Sequence, residues 1–112
     1  MEISQVATGG AMVVAPVGRV DSTTSDALER ALAAALDGGA HRLVVDLSGV
    51  TYISSVGLRV LLVVAKRMKT ERGALVLCGL GDAVRQVFDL AGFLPLFAVE
   101  SSRELAVRRA AA

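Results

Sequence analysis

The chain has 112 residues, 54% of them apolar and 21% charged, and its 12 basic and 11 acidic side chains leave a formal net charge of +1. That balance supplies neither a polybasic stripe for DNA nor an acidic tail, and one Tyr, three Phe and no Trp leave few aromatic platforms for stacking single-stranded nucleic acid. A single cysteine, Cys78, excludes an internal disulfide and a Cys-rich metal site.

Met1-Glu2-Ile3-Ser4-Gln5 has no basic region followed by an apolar run, so it does not read as a secretory signal. Residues Glu2 to Thr8 alternate weakly, Gly9-Gly10 signals a hairpin, and Ala11 to Val20 is rich in Val, which together predict two antiparallel strands. Pro16 cannot donate to a ladder and predicts an edge or a bulge in the second strand. Ser22 to Asp26 offers several helix caps ahead of Ala27, Leu28, Ala31, Leu32, Ala35 and Leu36 at helical spacing, with Gly38-Gly39 as the stop. Arg42 to Leu47 reads as a strand buried on both faces, joined to the preceding strand by a parallel crossover.

Ser48-Gly49 breaks that strand, and a loop through Ser54 and Ser55 leads to a second helix, Val56 to Thr70. At about 100° per residue, Leu58, Leu61, Leu62, Ala65 and Met68 share one side, expected on the sheet, while Val56, Arg59, Val60, Val63 and Arg67 share the opposite side. That second stripe is either covered by a neighbouring helix or an apolar partner-binding surface with basic edges. Ala74 to Cys78 predicts another buried strand. Asp82 is the expected cap of a third helix ending at Gly92, Leu96 to Val99 a short last strand, and Ser101-Ser102-Arg103-Glu104 a capping box for a terminal helix.

The predicted order is β-β-α-β-α-β-α-β-α, a single α/β domain over residues 1–112 with a mixed sheet and about four helices. The run Val60 to Ala65 is far too short to span a bilayer, so no membrane insertion is expected, and a soluble protein in a reducing cytoplasm fits. Reactive groups are scarce. His41, the only histidine, reads as a surface turn residue, Cys78 as a small core residue, and Gly79-Leu80-Gly81 lacks the later glycine and lysine of a nucleotide cradle. No catalytic residue, metal ligand or cofactor site is expected. Asp46 is placed to fold its carboxylate onto the amides of Ser48 and Gly49.

Ile53-Ser54-Ser55-Val56-Gly57-Leu58 resembles the signature of the STAS domain family, the anti-sigma factor antagonists, whose usual form is an apolar residue, Asp, Ser, Ser or Thr, Gly and Leu. Here Ser54 takes the Asp position and Val56 the Ser or Thr position. Gly18-Arg19-Val20-Asp21, Asp46-Leu47-Ser48-Gly49-Val50 and Leu75-Val76-Leu77-Cys78-Gly79-Leu80 before Val84-Arg85-Gln86-Val87-Phe88 follow in the family's order, over nearly the whole chain. The resemblance implies phosphorylation at Ser55, with Ser54 the second choice, by a partner that is both an anti-sigma factor and a serine/threonine kinase. It also implies a metal-dependent serine phosphatase that resets the site, and a partner contact at Asp21, for which a helix cap is an equal account. Asp21, Ser54, Ser55, Val56, Arg59, Val60 and Val63 are the expected partner-binding residues. The alternative is an accessory STAS subunit of a transport or lipid-trafficking complex that is never phosphorylated.

Overall fold

The computed structural model describes all 112 residues. Strands β1 (Glu2–Thr8) and β2 (Ala11–Val20) pair antiparallel across Gly9 and Gly10, both at the positive φ that a two-residue hairpin turn requires. There follow α1 (Ser25–Asp37), β3 (Arg42–Asp46), β4 (Val50–Ile53), α2 (Ser55–Thr70), β5 (Ala74–Cys78), α3 (Asp82–Leu90), β6 (Ala98–Glu100) and α4 (Arg103–Ala111). The six strands form a mixed sheet in the order β1-β2-β3-β5-β6, with β4 also paired to β2; every pairing but β1 with β2 is parallel.

The sheet has one strand more than the sequence pattern predicts. β4 lies in the stretch expected to be loop, and it occupies the same side of β2 as β3 does: β3 pairs with Met12 to Val14, β4 with Gly18 to Val20. The two are successive pieces of one interrupted strand. At the break the Asp46 carboxylate accepts the Ser48 amide at 2.9 Å, the Leu47 N–H donates to the Cys78 carbonyl at 2.8 Å, and the Gly18 N–H donates to the Gly49 carbonyl at 2.9 Å. Pro16 therefore sits in an internal strand rather than at an edge. It is tolerated because it falls between the β3 and β4 pairings, where no neighbour asks for its missing N–H. The register shift expected at Pro16 comes two residues later, between Gly18 and Arg19.

Three other boundaries differ from expectation. Gly81, not Asp82, is the cap residue of α3, and Asp82 is its first helical residue, where its charge faces the positive helix end. Leu96 belongs to a short 3-10 turn, Leu94–Leu96, set by Pro95, so the last strand begins at Ala98. At α4 the Ser102 hydroxyl accepts the Leu105 amide at 3.2 Å, while Glu104 pairs with Arg108 instead of closing a capping box.

Alternation along the parallel strands divides the core in two. Leu43, Val45, Leu47 and Leu77 point toward α1, α2 and α3, where Leu28, Leu32, Leu61, Met68, Val84 and Phe88 complete the larger cluster. Val44, Val76 and Cys78 point the other way, against Ala106, Val107 and Ala110 of α4. Two ion pairs fasten α4: Arg103 Nε to Asp46 at 2.8 Å and Arg109 Nη1 to Glu100 at 2.8 Å. Burial pushes the Asp46 carboxyl up, but the Ser48 amide and hydroxyl and the Arg103 guanidinium outweigh it and hold the group below its ordinary value. The same burial, with the Asp46 charge beside it, pushes the Cys78 thiol up to about 12. Cys78 is thus a core residue and a poor nucleophile.

The first turn of α2 lies against the ends of β2 and β4 with no room to spare. A Cβ on Gly57 would come within 2.6 Å of Val20 Cγ1 and 2.8 Å of Ile53 Cγ1. Gly57→Ala gains up to about 1 kcal/mol of helix propensity but overpacks at a cost of about 1–3 kcal/mol. The net effect expected is a lower urea midpoint, measured by far-ultraviolet circular dichroism.

Asp46 has a pH signature with a definite sign. Its folded pKa lies below the unfolded value of about 3.9, so its stabilisation is present above that value and fades as pH falls through the lower folded one. Asp46→Asn keeps an acceptor for the Ser48 amide and loses the charge that faces Arg103. It should cost about 1–3 kcal/mol at neutral pH, and urea melts of the two proteins should draw together only as pH falls below about 5, meeting below the folded pKa of Asp46.

Candidate functional site

Val20 and Ile53 are neighbours in the β2–β4 ladder, so the residues that follow them, Asp21 and Ser54, emerge side by side from one rim of the sheet. The Ser54 N–H donates to the Val20 carbonyl at 2.8 Å and fixes that adjacency. Ser54 is the N-cap of α2: its backbone is extended and its hydroxyl accepts the Gly57 amide at 3.4 Å, a long contact. Ser55 is the first helical residue, one position earlier than predicted, and it is exposed. The two serines are thereby separated by role. One hydroxyl is turned back onto the helix end; the other stands at the helix mouth, where the free amides and dipole of the first turn favour a negative group.

Asp21 is held beside them by its own turn. Its carboxylate accepts the Thr23 hydroxyl at 2.7 Å and the Thr23 amide at 3.0 Å, and Arg19 Nε lies 3.8 Å away. The Thr23 hydroxyl and amide, with Thr24 and Arg19 adding to them, hold the Asp21 carboxyl below its usual range. It does not cap α1: the cap position is Thr24, whose hydroxyl accepts the Asp21 amide and donates to the Arg19 carbonyl. Asp21 instead holds the turn that leads into α1, its carboxylate accepting the Thr23 amide and its carbonyl the Ser25 amide.

The outer face of α2 is rotated slightly from expectation. Val56 is 42% exposed and Val63 51% exposed, and Arg59 between them is exposed without an ion-pair partner. Val60 is only 7% exposed and belongs to the core with Leu61 and Val64. The reason is α1, which packs alongside α2 and closes over the Val60 edge. Arg67, expected on the open stripe, is likewise drawn to α1, where Nη2 meets Asp37 at 2.6 Å while Nε meets Glu71 at 2.7 Å. The expected stripe is split: Val60 and Arg67 face the neighbouring helix, and Val56, Arg59 and Val63 face outward.

The rim also carries a stacked pair that the sequence pattern does not predict. The Arg19 guanidinium lies 4.3 Å from the centre of the Tyr52 ring, and Tyr52 is exposed on β4. The signal for it was the β-branched and aromatic run Val50-Thr51-Tyr52-Ile53, which reads as a strand once Gly49 is taken as a break rather than an end. His41 is exposed at the opposite end of β3, Cys78 lies under α4, and Gly79, at positive φ, packs onto Asp46 and Ser48. None of them converges with Ser55.

The STAS domain family matches residues 2–106 of the chain. BtrV of Bordetella bronchiseptica, named as an anti-sigma factor antagonist, is 44% identical over 106 residues, which cover 95% of this chain and 91% of that protein. A crystal structure of an anti-sigma factor antagonist from Mycobacterium paratuberculosis is 28% identical and superposes with a TM-score of 0.90, over 99% of this chain and 94% of that one. The Bacillus protein SpoIIAA shares the fold at 15% identity in its unphosphorylated form, with a TM-score of 0.73 over 96% of each chain. Its phosphorylated form matches with a TM-score of 0.72 at 17% identity, over 96% of this chain and 98% of that one. The match along almost its whole length and the relative at 44% identity establish that the chain belongs to the STAS domain family.

Proposed function

We propose that this protein is an anti-sigma factor antagonist whose docking is switched by phosphorylation of Ser55. The observation that carries the reading is the exposed serine at the first position of α2, next to Ser54 and Asp21 on the sheet rim, with Val56, Arg59 and Val63 exposed further along the same helix. Unmodified, that rim binds an anti-sigma factor serine/threonine kinase and frees the sigma factor it had held. The chain itself is a binding module and not an enzyme. A metal-dependent serine phosphatase acting on the modified form returns it to the binding state.

Phosphate would work here without refolding the domain. It adds about −1.5 to −2 charges and a tightly hydrated group at the centre of the contact surface. The α2 terminus tolerates the anion, and Arg59, one turn further along the same side, is within reach of it. The cost falls on the partner, whose surface must desolvate a charge that it does not pair. A loss of about 3 kcal/mol weakens binding by roughly a hundredfold. SpoIIAA matches the fold of this chain in its unphosphorylated and in its phosphorylated form, which supports a modification that leaves the architecture standing.

Ser55→Asp should bind the cognate kinase at least about tenfold more weakly than wild type, a difference of about 1.4 kcal/mol. Ser55→Ala should bind regardless of ATP. Isothermal titration of both variants checks this, and equal affinities would refute the switch.

Ser55, not Ser54, should carry the phosphate, because the Ser54 hydroxyl is committed to the helix cap. Tandem mass spectrometry after incubation with kinase and ATP reads the position directly. Ser54→Ala should lower stability by about 0.5–2 kcal/mol while remaining a substrate. A chain that no kinase modifies would instead fit an accessory subunit.

A further inference from the structure

The two edges of the sheet are treated differently. β6 has three half-buried residues and runs directly into α4, which packs over it. β1 has seven residues, with six of them exposed, and pairs with β2 in unbroken register. Edges of this kind are normally blunted by lysine, proline, a bulge or a covering element. From Ile3 to Thr8 the strand has no charged residue, no proline and no bulge.

The pairing with β2 fixes the direction of the free backbone groups of β1. The Gly18 amide donates to Gly49, on the β4 side of β2, so the even-numbered residues of β2 direct their backbone groups away from β1. The odd-numbered ones direct theirs toward it. Their Cα partners in β1 are Glu2, Ser4, Val6 and Thr8. Ile3, Gln5 and Ala7 therefore send their N–H and C=O groups outward, three donors and three acceptors along one line.

We propose that β1 is a self-pairing edge through which two copies of this chain join antiparallel, about a two-fold axis at Gln5. In that register Gln5 meets Gln5, Ile3 of one copy meets Ala7 of the other, and about six backbone hydrogen bonds form. The only carboxylate of the strand, Glu2, falls opposite Thr8, so no like charges face each other. Val6, 47% exposed in a single copy, comes against Ser4 in the closer, non-hydrogen-bonded type of pair. A strand that complements itself in this way, neutral in the middle, favours a second copy over a foreign segment. β1 contains none of the residues of the Ser55 rim, so a dimer would hold two independent copies of that rim.

Light scattering coupled to size exclusion should show the wild-type chain passing from monomer to dimer as concentration rises. Under mild oxidation Gln5→Cys should cross-link into a dimer, since a hydrogen-bonded antiparallel pair sets the Cα atoms about 5.5 Å apart. Thr8→Cys should not, because the two Thr8 positions lie about 20 Å apart in this register. The buried Cys78 does not compete. Gln5→Lys, which sets two ammonium groups face to face, should weaken dimerisation at least tenfold with an unchanged circular dichroism spectrum. A wild-type chain that stays monomeric up to about 500 µM, a range that would detect even sub-millimolar association, overturns the proposal. Cross-linking at Thr8→Cys in preference to Gln5→Cys, or full dimerisation of Gln5→Lys, overturns it as well.

Discussion

The contact that everything at the candidate site depends on is the seating of the α2 first turn on Val20 and Ile53, with Gly57 as the point of closest approach. Because no side chain intervenes there, the helix begins directly on the sheet rim instead of one side chain's thickness above it. Ser54 then reaches the Val20 carbonyl with its amide and the helix end with its hydroxyl. Ser55 is left at the mouth of the helix with nothing above it. A larger residue at position 57 would lift the helix end, and the alignment of Asp21 with the two serines would go with it.

The sheet is what allows that rim to exist as one surface. β2 is long enough to pair first with β3 and then with β4, and its two partners leave its end at the same level as that of β4. The interruption between them is stabilised from the far side: Asp46 holds the Ser48 amide with one oxygen and Arg103 of α4 with the other. A charge buried on the α4 face thus helps to shape the loop that leads toward the rim. Burying it is tolerable only because both oxygens are paired.

Much of the fold was legible because periodicity in this chain is strong. The hairpin at Gly9-Gly10, α1, β3, β5 and the body of α2 follow directly from alternation and helical spacing. β4 was missed because four residues after a Ser-Gly break look like loop, and only the ladder with β2 makes them a strand. Val60 was placed outside because a helical wheel records angle and not neighbours; the edge it occupies is closed by α1, whose position along α2 is a tertiary fact. The resemblance supplies the roles of Asp21 and Ser55; their places at a strand end and a helix entrance are legible in the sequence, but what sets them side by side is the Val20–Ile53 register between strands distant in the chain. The Arg19–Tyr52 stack, formed between two strands, was invisible for the same reason.

The apolar cover of the second sheet face comes only from Ala106, Val107 and Ala110, on a helix that follows all six strands in the chain. During translation Val13, Val44 and Val76 therefore emerge from the ribosome well before the residues that shield them. The nascent domain passes through a stage in which three helices can cover one side of the sheet while the reverse side stays bare, the kind of surface that chaperones hold and that aggregates when they do not.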